Sequence, residues 1–84
     1  MTPFKNNKVK EKFDNYPYDI REKLLDLREL IYYVATNEKT ITNIEETLKW
    51  NEPSYITKNG STLRIDWKKK NPINIQCTLI VKLN

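Results

Sequence analysis

The sequence predicts an α+β domain in which two N-terminal helices precede a three-stranded antiparallel meander. Three observations support this prediction: periodic apolar residues between Ile20 and Val34, alternation from Leu63 to Trp67, and the Asn59–Gly60 dipeptide. Apolar spacings of three and four indicate one face of a helix, whereas alternation indicates a half-buried strand. Asn-Gly favours a tight hairpin turn, because both residues tolerate positive φ.

The first helix is predicted to begin near Pro17 and to end near Asn37. Pro17 suits a first helical turn, where its missing N–H leaves no hydrogen bond unmade. The predicted buried stripe of this helix is Ile20, Leu24, Leu27, Ile31 and Val34. Residues 1–14 are polar apart from Phe4, Val9 and Phe13, which predicts a flexible or short helical lead-in. Residues 15–84 then form a single domain.

A second, short helix is predicted from about Thr42 to Lys49. Thr42 and Glu45 have the spacing of a capping box, and Pro53 prevents the helix from continuing. Ile44 and Leu48 would form its buried stripe. The pattern therefore places this helix directly before the first strand.

The three predicted strands are Tyr55–Thr57, Thr62–Lys68 and Ile73 to about Leu83. Asn59–Gly60 and Asn71–Pro72 provide the two connecting turns. In the last strand one face carries Ile73, Ile75, Cys77, Leu79 and Val81. We expect Cys77 to pack there as a small hydrophobic side chain.

Composition excludes several classes of site. The chain has 84 residues, a net charge of +4, no histidine and a single cysteine. An intrachain disulfide and a thiol-rich metal site are therefore excluded, and the commonest acid–base and metal ligand is missing. No apolar run approaches the roughly 20 residues of a membrane span, and residues 1–12 lack the apolar core of a signal peptide. We expect a cytoplasmic protein that does not contact a membrane.

Much of the chain between Tyr16 and Lys68 follows one family pattern. The matching residues are Tyr16, Pro17, Ile20, Arg21, Leu24, Leu27, Arg28, Ile31 and Ala35, then EETLKWNEPSY (Glu45–Tyr55) and GSTLRIDWK (Gly60–Lys68). In these residues the chain resembles the YdhG-like family of bacterial domains, which are mainly of unknown function. The resemblance implies an α+β fold, a cytoplasmic location and, as described for some members, a frataxin-like iron-chaperone role. It provides no catalytic motif, so we expect a protein that is not an enzyme.

The chain departs from the family at its end. Family members continue with a further strand and a closing C-terminal helix, whereas this chain stops at Asn84. Strand Ile73–Leu83 is then an uncovered edge rich in β-branched residues, which favours pairing with another chain. We expect it either to pair across a homodimer axis or to mark a truncated family member.

A candidate ligand site lies at the corner that follows the second predicted helix. Its residues are Trp50, Pro53, Tyr55, Arg64 and Trp67. Aromatic side chains at such a corner stack on a ligand or plug the core, and near a proline the core alternative is favoured.

Glu46, Glu52 and Asp66 are the candidate metal ligands. Iron, implied only by the resemblance, would need oxygen ligands in a chain without histidine. No metal-ligand spacing is visible, and the alternative interpretation assigns Glu46 to solvent or to a contact with Arg64 and Asp66 to a strand surface.

Three functional hypotheses follow. The first is non-enzymatic binding of a small ligand or metal ion, and the second is an interaction module that assembles through the C-terminal strand edge. The third is weak nucleic-acid binding through Lys58, Arg64 and the run Lys68–Lys70, with Tyr55 and Trp67 as stacking rings. A charge run at a turn more often maintains solubility, which disfavours the third hypothesis.

Overall fold

A computed structural model describes residues 1–37, 43–58 and 60–81. Two helices, α1 (Asn7–Asp14) and α2 (Tyr18–Asn37), precede four strands: β1 (Ile44–Lys49), β2 (Glu52–Thr57), β3 (Thr62–Trp67) and β4 (Ile75–Ile80). The strands form one antiparallel sheet in the order β1-β2-β3-β4. The α+β class and the two helices agree with the sequence, but the sheet has four strands where three were expected.

The predicted second helix is wrong, because Ile44–Lys49 is strand β1. It pairs along its whole length with β2, from Ile44 opposite Thr57 to Lys49 opposite Glu52. A spacing of four residues, as between Ile44 and Leu48, fits one face of a helix and also one face of a strand, so it does not distinguish a helix from a strand. The helix interactions expected of Glu45 do not arise in a strand, and the predicted cap, Thr42, lies outside the described residues.

Helix α1 lies against the rest of the fold. Asn6 caps it, since its side-chain oxygen accepts hydrogen bonds from the backbone N–H groups of Lys8 and Val9. Val9 and Phe13 are fully buried. Phe13 contacts the rings of Phe4 and Tyr16 edge-on or tilted. The N-terminal segment therefore contributes directly to the core.

The core lies under the first half of α2. It consists of Val9, Phe13, Tyr16, Leu24, Tyr55 and Ile65. Farther along α2 the apolar stripe is only partly covered, since Leu30 and Val34 are exposed. Of the adjacent tyrosines, Tyr32 is half-buried and Tyr33 is exposed. Thus the C-terminal half of α2 leaves apolar surface beside the sheet.

The last two hairpins follow the expected order. Gly60 has a φ of 94°, which suits the turn between β2 and β3, while Asn59 lies outside the described residues. Strand β4 is shorter than predicted: Ile73 and Val81 lie outside it, and Leu83 is not among the described residues. Cys77 is exposed rather than packed, because β4 is an edge strand and of its side chains only Ile75 packs against the core.

None of the helices in the described ranges has the length and apolar character needed to cross a membrane.

Candidate functional site

Arg28 is a buried charge at the centre of the fold. Its side chain, on α2, is 0% exposed, and all of its N–H groups have acceptors nearby. Nε and Nη2 donate to the two carboxylate oxygens of Glu46 on β1, at 2.5 and 3.0 Å. Nη1 donates to Thr2 O and Glu29 Oε2, and Nη2 also donates to Pro3 O. Helix, strand and N-terminal segment are thereby joined at one guanidinium.

Aromatic side chains complete the surroundings of this ion pair. The Arg28 guanidinium lies 3.9 Å from the ring centre of Phe4 and 5.1 Å from that of Tyr32, in cation–π geometry. Tyr55 Oη donates a hydrogen bond to Glu46 Oε2 at 2.8 Å. Burial and the adjacent Glu46 carboxylate raise the pKa of Tyr55. We call Arg28, Glu46 and Tyr55 the arginine clamp; its polar groups are engaged with one another, which is typical of a structural role.

The pairing with Glu46 keeps the buried guanidinium of Arg28 charged. Burial lowers the pKa of Arg28, but the hydrogen bond and charge of Glu46 outweigh that effect, so the net shift is upward. A guanidinium paired with a carboxylate in bidentate geometry is a strong, oriented interaction. Arg28 therefore stays charged despite its burial.

A second buried carboxylate, Asp66, lies at the end of β3. Tyr16 Oη donates to Asp66 Oδ1 at 2.5 Å, and Lys68 Nζ lies 2.7 Å from Oδ2. Lys12 Nζ is 3.9 Å from Oδ1. Burial raises the pKa of Asp66, but the hydrogen bonds from Lys68 and Tyr16 outweigh it, so the pKa is lowered overall. The hydrogen bond with Asp66 raises the pKa of Lys68 in turn.

The three predicted metal ligands are not brought together. Glu46 belongs to the arginine clamp and contacts Arg28 rather than Arg64. Glu52 and Asp66 share Lys68, with Glu52 Oε2 at 3.6 Å from its Nζ. Within the described ranges, no group of three or more histidine, cysteine, aspartate or glutamate side chains is placed to hold a metal ion. The carboxylates nearest the predicted corner serve as partners for cations.

The predicted ligand residues occupy different environments. Pro53 and Tyr55 are buried, which agrees with the favoured core interpretation of Tyr55. Trp67 is half-buried and its Nε1 donates to Pro72 O at 2.8 Å, which ties down the β3–β4 turn. Trp50 is 75% exposed and stacks on Arg64, so the core interpretation of Trp50 is wrong. The reason is the β1–β2 hairpin, which places Trp50 at the tip of a turn instead of at a helix end.

An apolar groove that sequence reasoning missed lies between α2 and the sheet. Its volume is about 310 Å³. Most of its lining is aliphatic: Leu27, Leu30, Ile31, Val34, Ala35, Ile44, Leu63 and Leu79, with Tyr55, Thr57, Ser61 and Thr62. A sequence signal for this groove is the length of the apolar stripe of α2, which continues beyond the residues that the sheet covers.

Strand β4 forms one edge of the sheet and contributes Leu79 to the rim of this groove. It pairs with β3 on one side, with Leu63 opposite Leu79. Leu79 is 65% exposed, and Ile73, Ile80 and Val81 are also exposed. An exposed strand edge and an exposed apolar surface thus lie side by side.

Comparisons of the chain with protein-family models, with curated proteins and with solved structures found no match. The YdhG-like resemblance therefore remains an expectation based on residues.

Proposed function

We propose that this chain is a non-enzymatic interaction module that pairs strand β4 with β4 of a second copy of itself. The observation that supports the proposal is an edge strand, β4, with no second partner strand among the described residues, next to an apolar groove that its Leu79 lines. An edge strand presents a row of N–H and C=O groups that another strand can satisfy. Apolar side chains on the same strand add buried area when the two edges meet.

The two edges of the sheet differ in the protection they carry. Natural edges are commonly blocked by charged residues or proline. Strand β1, at one edge, carries exposed Glu45 and Lys49. Strand β4, with the sequence IQCTLI, has neither a charged residue nor a proline. This contrast favours β4 as the edge that pairs.

A second copy fits this edge because an antiparallel pair of identical strands is symmetric. A twofold axis perpendicular to the sheet would relate the two strands, and directly opposed residues would then lie on the same face of the sheet. Two registers are centred on the middle of β4, and in each of them one residue lies opposite its own copy. In one, Cys77 lies opposite its own copy and Ile75 lies opposite Leu79. In the other, Thr78 lies opposite its own copy and Cys77 lies opposite Leu79. Both registers place apolar side chains from the partner beside the groove.

Cysteine cross-linking tests this arrangement directly. The exposed Cys77 is the only cysteine, so the native protein already reports the first register. The variant Cys77→Ser with Thr78→Cys reports the second, and Cys77→Ser with Tyr33→Cys, on the exposed surface of α2, is the matched control. A short bismaleimide should link one of the first two proteins into dimers and leave the control monomeric. Equal, low yields for all three would contradict pairing through β4.

Small-ligand binding is the second candidate function, and the groove is the observation that favours it. Its volume is at the lower end of the range for ligand pockets, about 300–1,000 Å³. The lining selects for an apolar ligand. Since a partner strand would cover the same rim, Leu79→Lys should weaken dimer formation and binding of an apolar dye together if both use this surface. An iron-chaperone role stays a proposal from resemblance alone, because the three carboxylates are engaged elsewhere.

A further inference from the structure

The tip of the β1–β2 hairpin carries an unusual residue. Trp50 and Asn51 have φ values of 50° and 60°, the left-handed conformation of a two-residue hairpin turn. Asparagine and glycine adopt this conformation readily, whereas a bulky residue at positive φ is strained by about 1 kcal/mol. The strain is not offset by burial, because Trp50 is 75% exposed. Strained, exposed residues are concentrated at functional sites, which directs attention to this ring.

Arg64 contacts the Trp50 ring. The Cζ atom of Arg64, on β3, lies 4.6 Å from the ring centre. Arg64 Nε is buried and has no hydrogen-bond partner within the described part of the chain. The guanidinium lies over the indole, and Trp50 is nevertheless 75% exposed. A flat cation stacked on a flat aromatic surface forms the first two layers of a stack that a further planar group can extend.

A second hairpin tip lies at the same end of the sheet. The chain order places the β3–β4 turn beside the β1–β2 turn, and the contact of Lys68 with Glu52 confirms that they are adjacent. The β3–β4 turn is held by Trp67 Nε1 and by the hydrogen bond from Asn71 N to Lys68 O. Lys69 and Lys70 in this turn are exposed.

The charges at this end of the sheet are unevenly engaged. Asp66 and Glu52, the nearest carboxylates, contact Lys68, so they are partly neutralised within the protein. Among the described residues the ion pairs include Lys68 but neither Lys69 nor Lys70. Lys69 and Lys70 therefore lie at the same end of the sheet as the exposed ring of Trp50, on a chain of net charge +4.

We infer that Trp50, Arg64, Lys69 and Lys70 form a binding site for single-stranded nucleic acid. A base stacks on the exposed surface of Trp50, opposite or beside Arg64, and the lysines contact the flanking phosphates. Single strands are bound in this way by combining aromatic platforms with cations along the backbone. An acidic peptide could also bind Lys69 and Lys70, but its carboxylates provide no planar ring to stack on Trp50. None of these four residues belongs to β4, so this site is distinct from the proposed dimer interface.

The test is fluorescence anisotropy with a labelled oligo-dT, read as a function of salt. Trp50→Asn removes the ring but keeps a residue that tolerates positive φ, so the turn should stay folded, which circular dichroism checks. Because base–aromatic stacking contributes about 1–3 kcal/mol, we expect the affinity of this variant to fall by about 5- to 150-fold. Tyr33→Ala, which removes another exposed aromatic ring on α2, should bind as the native protein does.

The lysines are tested by the salt dependence. Replacing Lys69 and Lys70 with glutamine should reduce the slope of log K against log salt by about 1.4, since each phosphate contact on a single strand contributes about 0.7. Oligo-U in place of oligo-dT should bind similarly, because stacking does not depend on the sugar. Absence of binding at low salt, or equal competition by polyglutamate together with unchanged affinity in Trp50→Asn, would overturn the inference.

Discussion

Replacing Arg28 by methionine tests the arginine clamp as the main polar support of the fold. The variant keeps the length of the side chain but leaves the Glu46 carboxylate, which is 6% exposed, without its cation and with the uncharged hydroxyl groups of Tyr55 and Tyr32 beside it. Breaking a buried ion pair by removing one partner costs about 3–5 kcal/mol. A chain of this length has a total stability of roughly 4–12 kcal/mol, so the loss would be a large fraction of it.

Urea unfolding followed by circular dichroism measures this loss. With a denaturant slope of about 1 kcal/mol per molar for a small domain, the urea midpoint of Arg28→Met should fall by roughly 3–5 M, or the protein should be unfolded without urea. The urea midpoint of Arg28→Lys should lie between those of the native protein and Arg28→Met, because an ammonium cannot reproduce the bidentate contact with Glu46.

The double variant Arg28→Met with Glu46→Met separates the two explanations for such a loss. If the unpaired carboxylate is responsible, the double variant should recover much of the stability lost by the single variant, since apolar replacement of a whole buried pair is often nearly neutral. A loss below about 1 kcal/mol in Arg28→Met would refute the argument that the pair is buried and needed. A double variant no more stable than the single one would point instead to lost packing against Phe4 and Tyr32.

Three further predictions follow from the charged and strained residues. The pKa of Asp66 is lower in the folded protein than in the unfolded chain, so the Asp66 carboxylate stabilises the fold above about pH 4 and this stabilisation is lost as the pH falls further. In Asp66→Asn the free energy of unfolding should therefore depend less on pH in the acid range. Burial raises the pKa of Tyr16 and Tyr55 above the value in the unfolded chain, so the free energy of unfolding should decline above about pH 10. Urea midpoints measured across this pH range should decline less for Tyr55→Phe than for the native protein. Trp50→Gly should leave the melting temperature unchanged or slightly higher, because it removes strain at an exposed site; a marked drop would mean that the ring contributes to packing.

Helix α2 and the hairpin at Gly60 could be predicted from sequence because their signals are local. The apolar spacing in α2 runs for several turns, and a glycine turn between alternating runs has few alternatives. Strand β1 could not be predicted in the same way, since its apolar residues fit both periods and its pairing with β2 is what decides between them. The Thr42–Glu45 cap signal was a chance match to a helix start.

Arg28 and Trp50 show why the candidate sites were only partly predictable. Arginine is usually exposed, and the burial of Arg28 depends on Glu46, which is 18 residues away in the chain. Trp50 was expected in the core because aromatics near proline usually pack, but the turn geometry places it outside. In both cases the deciding contact is between segments that the sequence alone does not bring together.

Sedimentation velocity over a wide range of concentration tests the central claim, self-association through β4, most directly. The native protein should shift from monomer to dimer as its concentration rises. Leu79→Lys, which places a charge on the 65% exposed rim of β4, should remain monomeric, whereas Tyr33→Lys, at 67% exposure on α2, should dimerise as the native protein does. A native protein that stays monomeric at every concentration, or a Leu79→Lys variant that dimerises normally, would contradict the claim.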